Sequence, residues 1–391
     1  MAKKEFYLIR RRDRLTRDVK GRLKPTFYCR WYDGAGKPHL ESTRETSKTR
    51  AERWMHKKLR EPRRKALDSF RFGPFAEPWW APNCPYCEGK IARGTPITMG
   101  YRKVRRSWLE NHVLPRFKDL RLSEISTRMI EAWVMDLRKG GELSATTVNH
   151  VLRTLKIMLA EACRLGYLSV DPSRSVRQLR ETPGERGILT PDEIRRLFAE
   201  KKISKVWDGD FRHYALNLAA ASCGLRLGEV LGLTIQYVHP DFLEIERAWG
   251  QVDGLQDPKW HNSRLVPLPS RTSTALQRVI SESLYKEPGD MLFYGERRER
   301  PIAHQVVLRR FYAALESIGI DEKARQKRGI VFHSHRHAFN TFCRGKVPDE
   351  LLRAVVGHAD ERMTERYFHP GVEAIRELAK VQERLLGDAK G

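Results

Sequence analysis

The stretch His333-Ser-His-Arg-His337 is followed by Gly357-His358 and by Met363-Thr-Glu-Arg-Tyr367 near the end of the 391-residue chain. Histidines, an arginine and a tyrosine are concentrated here. A tyrosine hydroxyl is a weak nucleophile at neutral pH, so it needs neighbours that bind a phosphate, spread its growing negative charge and move protons. Arginine and histidine can supply these functions, and we interpret this part of the chain as a site that attacks phosphodiesters.

A second arginine lies upstream in Cys223-Gly-Leu-Arg226-Leu-Gly-Glu229, at the start of an apolar helix. Glu229 follows Arg226 at i+3, so its carboxylate lies on the same helix face and is placed to orient the guanidinium group. Arg226 and Arg336 can then clamp one phosphate from two sides. The alternative for Arg226 is a surface arginine that only caps the helix.

These elements resemble the tyrosine recombinase family, in its phage-integrase branch, from the core-binding segment to the C-terminus. The family's active site combines an arginine in a T-G-x-R-x-x-E element, a lysine on a β-hairpin, an H-x-x-R pair, a G-H pair and a late tyrosine. Cys223 replaces the usual threonine here, and His335 replaces an apolar residue. The resemblance assigns Glu229 a supporting role and implies these catalytic residues: Arg226, Lys259, His333, Arg336, His358 and Tyr367.

Some of these assignments have competitors nearby in the sequence. Lys259 lies in a loop and is either the general acid, which must reach the leaving oxygen, or a solvated residue, with Lys286 as its alternative. An additional histidine is often a structural hydrogen-bond donor. Three further histidines are close enough to exchange roles with the two in the family pattern, namely His335, His337 and His369.

The resemblance also implies a mechanism and partners. Tyr367 attacks the scissile phosphate, forms a 3′-phosphotyrosine and frees a 5′-hydroxyl that Lys259 protonates. We expect no metal and no other cofactor. Two duplexes with two cleavages each imply a homotetramer on double-stranded DNA attachment sites, with DNA-bending or directionality factors as candidate partners.

The implied function is a site-specific recombinase that integrates or excises a phage or mobile element. The alternatives are an Xer-like dimer resolvase, a type IB topoisomerase and a non-enzymatic DNA-binding regulator.

Composition supports a nucleic-acid partner independently of the motifs. The formal net charge is +25 and the isoelectric point is about 10.0, which implies a polyanionic partner. Long apolar runs and a secretory signal are absent from the sequence, so we expect a cytoplasmic, nucleoid-associated protein without a membrane partner. The six scattered cysteines do not form the pattern of a disulfide framework in a chain of this length, and two or three domains are expected.

The positive charge is concentrated in residues 1–66, which hold 22 Lys and Arg against 8 Asp and Glu. Strands are predicted at 5–10 and 26–32, a turn at 33–36 and a helix at 47–65. This arrangement resembles the arm-type DNA-binding domain of many integrases, and the excess charge matches the footprint of nucleic-acid binders. Arg30 is a candidate DNA contact, although strand alternation places some neighbours in the core. The alternative is a solvated basic face.

Residues 67–96 are aromatic and proline-rich and are predicted to be a linker with some packing of its own. Cys84 and Cys87 form a C-x-x-C pair, which supplies two of the four ligands of a structural zinc; buried or idle thiols are the alternative. Apolar periodicity predicts a helical core-binding domain at 97–177. Its basic residues either follow DNA phosphates or cover a solvated helix face. The candidates are Arg102, Lys103, Arg105, Arg106, Arg153 and Lys156.

Residues 178–188 are polar, contain Pro-Gly and are predicted to be a second linker. Thr190-Pro-Asp-Glu193 forms a capping box that begins a catalytic domain at 189–391. Short strands are predicted at 242–246 and 265–268 around the loop with Lys259. Helices are predicted at 211–222, 227–233, 271–285, 304–318, 335–343, 349–356 and 372–386. The fold class is therefore α+β and mainly α: a small basic β-sheet-plus-helix N-terminal domain, a helical core-binding domain, and a mainly helical catalytic domain with a small sheet.

The last predicted helix has an apolar stripe that needs a partner surface. Two surfaces fit the pattern equally: a neighbouring protomer, or the helix's own catalytic domain. The residues of the stripe are Val372, Ile375, Leu378, Val381 and Leu385.

Overall fold

The computed structural model describes residues 6–18, 20–32, 38–68, 70–182, 187–257, 263–357 and 378–384. The chain divides into two compact units, Met1–Ile97 with Tyr101–Thr182 and Thr98–Gly100 with Pro183–Gly391. The boundary between the two units after Thr182 falls inside the segment 178–188 that the sequence predicts to be a linker. The predicted fold class, α+β and mainly α, is confirmed. In the described part of the chain no helix is both long and apolar enough to cross a membrane.

The first unit begins with an antiparallel sheet of three strands in the order β1-β2-β3. The strands are β1 (Phe6–Arg17), β2 (Leu23–Tyr32) and β3 (Pro38–Ser42), and helix α1 (Lys48–Asp68) follows them. Cys29 on β2 is fully buried, as are Ala51 and Met55 on α1. Arg30, the next residue on β2, is exposed because alternate strand residues point to opposite faces.

The rest of the first unit is a helical bundle. Its helices are α2 (Phe72–Ala76), α3 (Pro85–Ile91), α4 (Met99–Trp108), α5 (Leu114–Phe117), α6 (Thr127–Lys139) and α7 (Ala145–Arg164). A π-helical turn at Leu109–Val113 joins α4 to α5. The predicted linker 67–96 contributes to the core of this bundle, since Phe72, Trp79 and Trp80 are buried with Leu109 and Trp133. It is an integral part of the bundle because its large aromatic side chains are buried in this core.

The second unit opens with the predicted capping box. Thr190 accepts a hydrogen bond from the backbone N of Glu193, and Glu193 accepts one from the backbone N of Thr190, at the start of α8 (Pro191–Leu197). Helices α9 (Ile203–Val206), α10 (Phe211–Cys223) and α11 (Leu227–Leu231) follow. Almost every side chain of α10 is buried, so this helix forms the centre of the domain.

Four short strands and five more helices follow in the second unit. Antiparallel pairs form between β4 (Phe242–Ile245) and β7 (Arg264–Pro267), and between β5 (Ala248–Gly250) and β6 (Gly254–Gln256). The helices are α12 (Ser270–Ser281), α13 (His304–Ser317), α14 (Glu322–Lys327), α15 (Ser334–Cys343) and α16 (Asp349–Val356). Helix α10 packs against α12, α13 and α15.

A glycine ends α10 where α15 comes close. Gly224 adopts a left-handed conformation with φ +65°, and a Cβ at this position would lie 2.7 Å from the ring of Phe339. The close approach of α10 and α15 therefore requires glycine at this point.

The helical segment 378–384 packs on its own domain. Leu378 is fully buried in the core of the second unit, and the amide of Gln382 donates a 2.9 Å hydrogen bond to Sγ of Cys343. The last predicted helix had two alternatives, packing on a neighbouring protomer or on its own domain, and this part of it packs on its own domain. Three residues of the predicted stripe lie outside the described residues: Val372, Ile375 and Leu385.

Candidate active site

Arg226 and Glu229 are brought together at the start of α11. Nη1 of Arg226 donates a 2.6 Å hydrogen bond to Oε1 of Glu229, and the backbone N of Arg226 donates a 2.9 Å bond to Oε2. Nη2 of Arg226 donates to the carbonyl oxygen of Gly357 at 3.3 Å. The i+3 spacing thus places the carboxylate where it orients both the backbone and the guanidinium group of this arginine.

Arg336 on α15 lies near Arg226, with which it interacts electrostatically, and it is only 2% exposed. Its Nη1 donates to the carbonyl oxygen of Gly224 at 2.9 Å, and its Nη2 donates to the carbonyl oxygen of Val356. Burial lowers the pKa of Arg336 to about 9, and the positive charge of Arg226 acts in the same direction. The guanidinium group remains protonated at neutral pH, because even this lowered pKa lies above 7.

A third arginine, Arg264, joins the site although sequence reasoning did not single it out. It is the first residue of β7, and its Nη1 and Nη2 donate to Oε1 and Oε2 of Glu229 at 3.1 and 2.8 Å. Its Nε donates a 2.7 Å bond to the carbonyl oxygen of Val355. The nearest signal in the sequence was its position immediately before the predicted strand 265–268 that follows Lys259.

Glu229 is almost completely buried, yet it is ionised. Burial alone would raise the pKa of this carboxyl group, but Arg264 and Arg226 together lower it to about 2. Two guanidinium groups therefore bond to one carboxylate, and that of Arg336 is near enough to interact with it electrostatically. The cluster carries an excess of positive charge, which suits a site that binds a phosphodiester and stabilises the additional charge of its transition state.

The histidines of α15 differ in their surroundings. His335 is buried against the rings of Phe311 and Phe332, with Nε2 3.3 Å from Oδ1 of Asn217, and burial lowers its pKa to about 3. It is a neutral core residue rather than a substitute for His333. His333 caps the start of α15, and its ring contacts that of His337 edge-on with centroids 4.7 Å apart.

Several predicted site residues lie outside the described residues: Lys259, His358, Tyr367 and His369. For two of them, the structure describes the residues nearby in the chain. Gly357, which accepts from Arg226, directly precedes His358, and its φ of +64° ends α16. Strand β6 ends before Lys259 in the sequence, at Gln256, and strand β7 begins after it, at Arg264. Lys286 is exposed in the loop after α12.

Two of the basic candidates in the helical bundle are buried. Arg102 is 5% exposed and donates to the carbonyl oxygen of Pro82 at 2.6 Å and to Oε1 of Glu88 at 3.0 Å. Arg105 is 8% exposed and donates to the carbonyl oxygen of His150 and to Oγ1 of Thr154. The prediction placed both on a DNA-facing surface, whereas their guanidinium groups join parts of the bundle from inside.

The other bundle candidates are closer to solvent. Arg106 is half-buried and bonds to Glu110 and to the carbonyl oxygens of Glu77 and Trp79. Lys156 donates a 2.6 Å bond to the carbonyl oxygen of Val176. Lys103 and Arg153 are exposed, and Arg153 lies 3.3 Å from Oε1 of Gln178.

The C-x-x-C pair lies at the start of α3, where Cys84 is the N-cap residue. Both thiols are buried. Burial, together with a hydrogen bond from Cys84, raises the pKa of Cys87 to about 12, which favours its protonated thiol. Among the described residues, no group of three or more His, Cys, Asp or Glu side chains is arranged to hold a metal ion.

Comparison with known proteins relates the chain to recombinases. Residues 187–373 match the model of the phage integrase family. The tyrosine recombinase XerD of Corynebacterium glutamicum is 25% identical over 293 residues, covering 71% of this chain and 88% of that protein.

Two solved structures share the fold. A lambda integrase dimer bound to a COC′ core site has a TM-score of 0.58 and 16% identity, covering 93% of this chain and 94% of that one. A lambda integrase tetramer bound to a Holliday junction has a TM-score of 0.57 and 17% identity, covering 90% of this chain and 98% of that one.

Fold, site and similarity together define a class of enzyme, the site-specific DNA recombinases, which cleave and rejoin DNA strands. Its residues 187–373 belong to the phage integrase family, and the chain is similar to tyrosine recombinases over 71% of its length.

Proposed function

We propose that the protein is an integrase that cleaves DNA through a 3′-phosphotyrosine at Tyr367. The observation that supports this proposal most strongly is the cluster of three arginines near one buried carboxylate, because such a cluster is suited to a phosphate and to little else. In the proposal, Arg226 and Arg336 bind the non-bridging oxygens of the scissile phosphate. His333 and His358 assist them, and Glu229 orients Arg226.

The reaction breaks one phosphodiester and forms another. The phenolic oxygen of Tyr367 attacks phosphorus as its proton is lost, and the bond between phosphorus and the 5′-oxygen breaks. Lys259 gives a proton to that leaving oxygen. Rejoining is the reverse reaction with a 5′-hydroxyl of the partner duplex, so the energy of the phosphodiester is conserved in the covalent intermediate.

We further propose that the protein acts as a homotetramer on double-stranded DNA attachment sites, in association with the nucleoid. Each recombination joins two duplexes and needs two cleavages in each, which requires four tyrosines. The shared fold with a lambda integrase tetramer on a Holliday junction supports this proposal. DNA-bending or directionality factors are further proposed partners, because integration and excision need separate control.

For the domains, we propose that 1–66 binds arm sites, 97–177 binds the core site and 189–391 carries the chemistry. Exposed arginines on a small sheet support the first assignment; they include Arg10, Arg12, Arg14, Arg17 and Arg30. The same region favours an integrase over an Xer-like resolvase. The XerD relative covers 71% of the chain, whereas the lambda integrase dimer covers 93% of it.

A covalent trapping assay tests the proposal. A duplex with a nick near the cleavage site loses its short 5′-hydroxyl fragment after attack, which prevents rejoining and traps the covalent protein–DNA product. Tyr367→Phe removes one hydroxyl with little change in packing, so we expect binding to this duplex without covalent product. EDTA should not reduce cleavage by the unchanged protein, because no step of the scheme uses a metal. A denaturant-resistant protein–DNA band formed by the Phe variant would exclude Tyr367 as the nucleophile.

A further inference from the structure

Three consecutive carbonyl groups at the end of α16 each accept a hydrogen bond from a different arginine. Val355 accepts from Arg264, Val356 from Arg336 and Gly357 from Arg226. The last carbonyls of a helix lack partners within the helix and carry partial negative charge, so they are natural acceptors for guanidinium groups. The end of α16 is therefore attached to all three arginines immediately before His358.

Arg264 differs from the other two arginines in how its nitrogen atoms are used. All three of its guanidinium nitrogens donate to protein oxygens, two to Glu229 and one to Val355. It is therefore poorly placed to contact a phosphate itself, although it lies beside the arginine that we propose does so.

The carboxylate of Glu229 is held from two sides. Oε1 accepts from Nη1 of Arg226 and Nη1 of Arg264, and Oε2 accepts from the backbone N of Arg226 and Nη2 of Arg264. A two-point contact with a planar guanidinium group fixes the rotation of a carboxylate, which a single contact does not. Fixing Glu229 in turn fixes the guanidinium group of Arg226.

We propose that Arg264 is a positioning residue for DNA cleavage: it holds Glu229 and the last turn of α16 so that Arg226 and Arg336 meet the phosphate in a fixed geometry. The inference rests on the proposed phosphate-binding roles of Arg226 and Arg336. A small displacement of groups that must be aligned with the reacting atoms lowers a rate strongly even where it leaves binding unchanged.

The pH dependence of cleavage separates positioning from stabilisation of the fold. In the described part of the chain, the charged side chains that face Glu229 are Arg226, Arg264 and Arg336. Arg264 is the largest influence that lowers the pKa of Glu229 to about 2. Without Arg264 the pKa of this buried carboxyl rises, so Glu229 becomes protonated, and releases Arg226, at a higher pH than in the unchanged protein.

The experiment measures single-turnover cleavage of the nicked duplex by full-length protein at several pH values, with DNA binding and thermal unfolding measured in parallel. We expect Arg264→Gln to cleave about 10²-fold more slowly at saturating DNA, with similar affinity. The acidic limb of its pH–rate profile should lie at higher pH. Arg264→Lys keeps one charge and should recover part of the rate. In a Glu229→Gln background, Arg264→Gln should add little further loss, since the two act as a unit.

Arg328 provides a matched control in the same unit. Its Nη1 and Nη2 bond to Oε1 and Oε2 of Glu193 at 2.7 and 2.9 Å, the same paired geometry at another place in the domain. Arg328→Gln should lower the unfolding temperature without changing the rate or the pH profile of the folded protein. The positioning role is overturned if Arg264→Gln behaves in the same way. Absence of covalent product from the unchanged protein would instead overturn the proposed function, and the positioning role with it.

Discussion

Buried arginines occur both in the helical bundle and in the candidate active site, but their hydrogen-bond partners differ. In the bundle, Arg102 bonds to Glu88 and to a backbone carbonyl, and Nη1 of Arg105 bonds to a carbonyl and a hydroxyl while its guanidinium group lies over the rings of Tyr101 and Trp108. At the site, Arg226 and Arg264 share the carboxylate of Glu229, and Arg336 joins them in bonding to the end of one helix.

The difference shows that burial and residue type alone do not identify a phosphate site. A buried arginine such as Arg102 or Arg105 joins parts of the fold, because its hydrogen bonds run to other helices and loops of the bundle. A cluster with more cations than anions retains charge for a ligand, and such surplus charge is costly to bury without a functional reason. The bundle thus illustrates stabilisation, and the site illustrates preorganisation for an anion.

Substituting one arginine in each region gives the strongest test of this comparison. Arg336→Lys removes the planar fork that reaches two carbonyls and a phosphate, so we expect cleavage of the nicked duplex to fall by about 10² to 10³-fold. DNA affinity should change much less, because most phosphate contacts lie elsewhere on the duplex. The measurement is the single-turnover rate at saturating DNA.

Arg105→Met is the counterpart in the bundle. It leaves acceptors on His150 and Thr154 without this donor, so we expect a loss of about 1–3 kcal/mol in the free energy of unfolding. The cleavage rate per folded molecule should stay the same. If Arg105→Met instead reduced cleavage as strongly as Arg336→Lys, at equal folded fraction, the distinction between the two regions would fail.

The N-terminal sheet is a third case, with exposed arginines and few acids. Its removal should have a smaller effect on cleavage than the substitution of Arg336. Because α1 ends at Asp68, a truncation that removes residues 1–69 takes away 22 Lys and Arg against 9 Asp and Glu. The truncated protein should still cleave a core site but fail to recombine full attachment sites. The slope of log K against log salt for long DNA should flatten by about 0.9 for each lost phosphate contact. Equal recombination of full sites by both proteins would contradict the arm-binding proposal.

Local patterns in the sequence predicted much of this structure. The capping box at Thr190 and Glu193, the helix that ends at Gly224 and the contact between Arg226 and Glu229 depend on residues within four positions of one another. Such contacts follow directly from helix geometry. The predicted helix at 304–318 likewise corresponds to α13 at His304–Ser317.

Contacts between distant segments were not predictable in the same way. Arg264 meets Glu229 only because β7 pairs with β4 and passes beside α11 and the end of α16. Burial of Arg102 and Arg105 had a usable signal, because they continue the spacing of the apolar residues Leu109 and Val113 along one helix face. Because they are charged, both were predicted to lie on the surface, whereas their positions on the apolar face of the helix indicate burial.

The most direct test of the central claim is the chemical identity of the covalent link. Trapped protein–DNA product would be digested with nuclease and trypsin and analysed by mass spectrometry. Trypsin cuts after Arg366 and Arg376, so the peptide 367–376 contains a single tyrosine, Tyr367. We expect this peptide to be joined through the tyrosine oxygen to a nucleotide 3′-phosphate. A nucleotide on any other residue, or attachment through a 5′-phosphate, would contradict it.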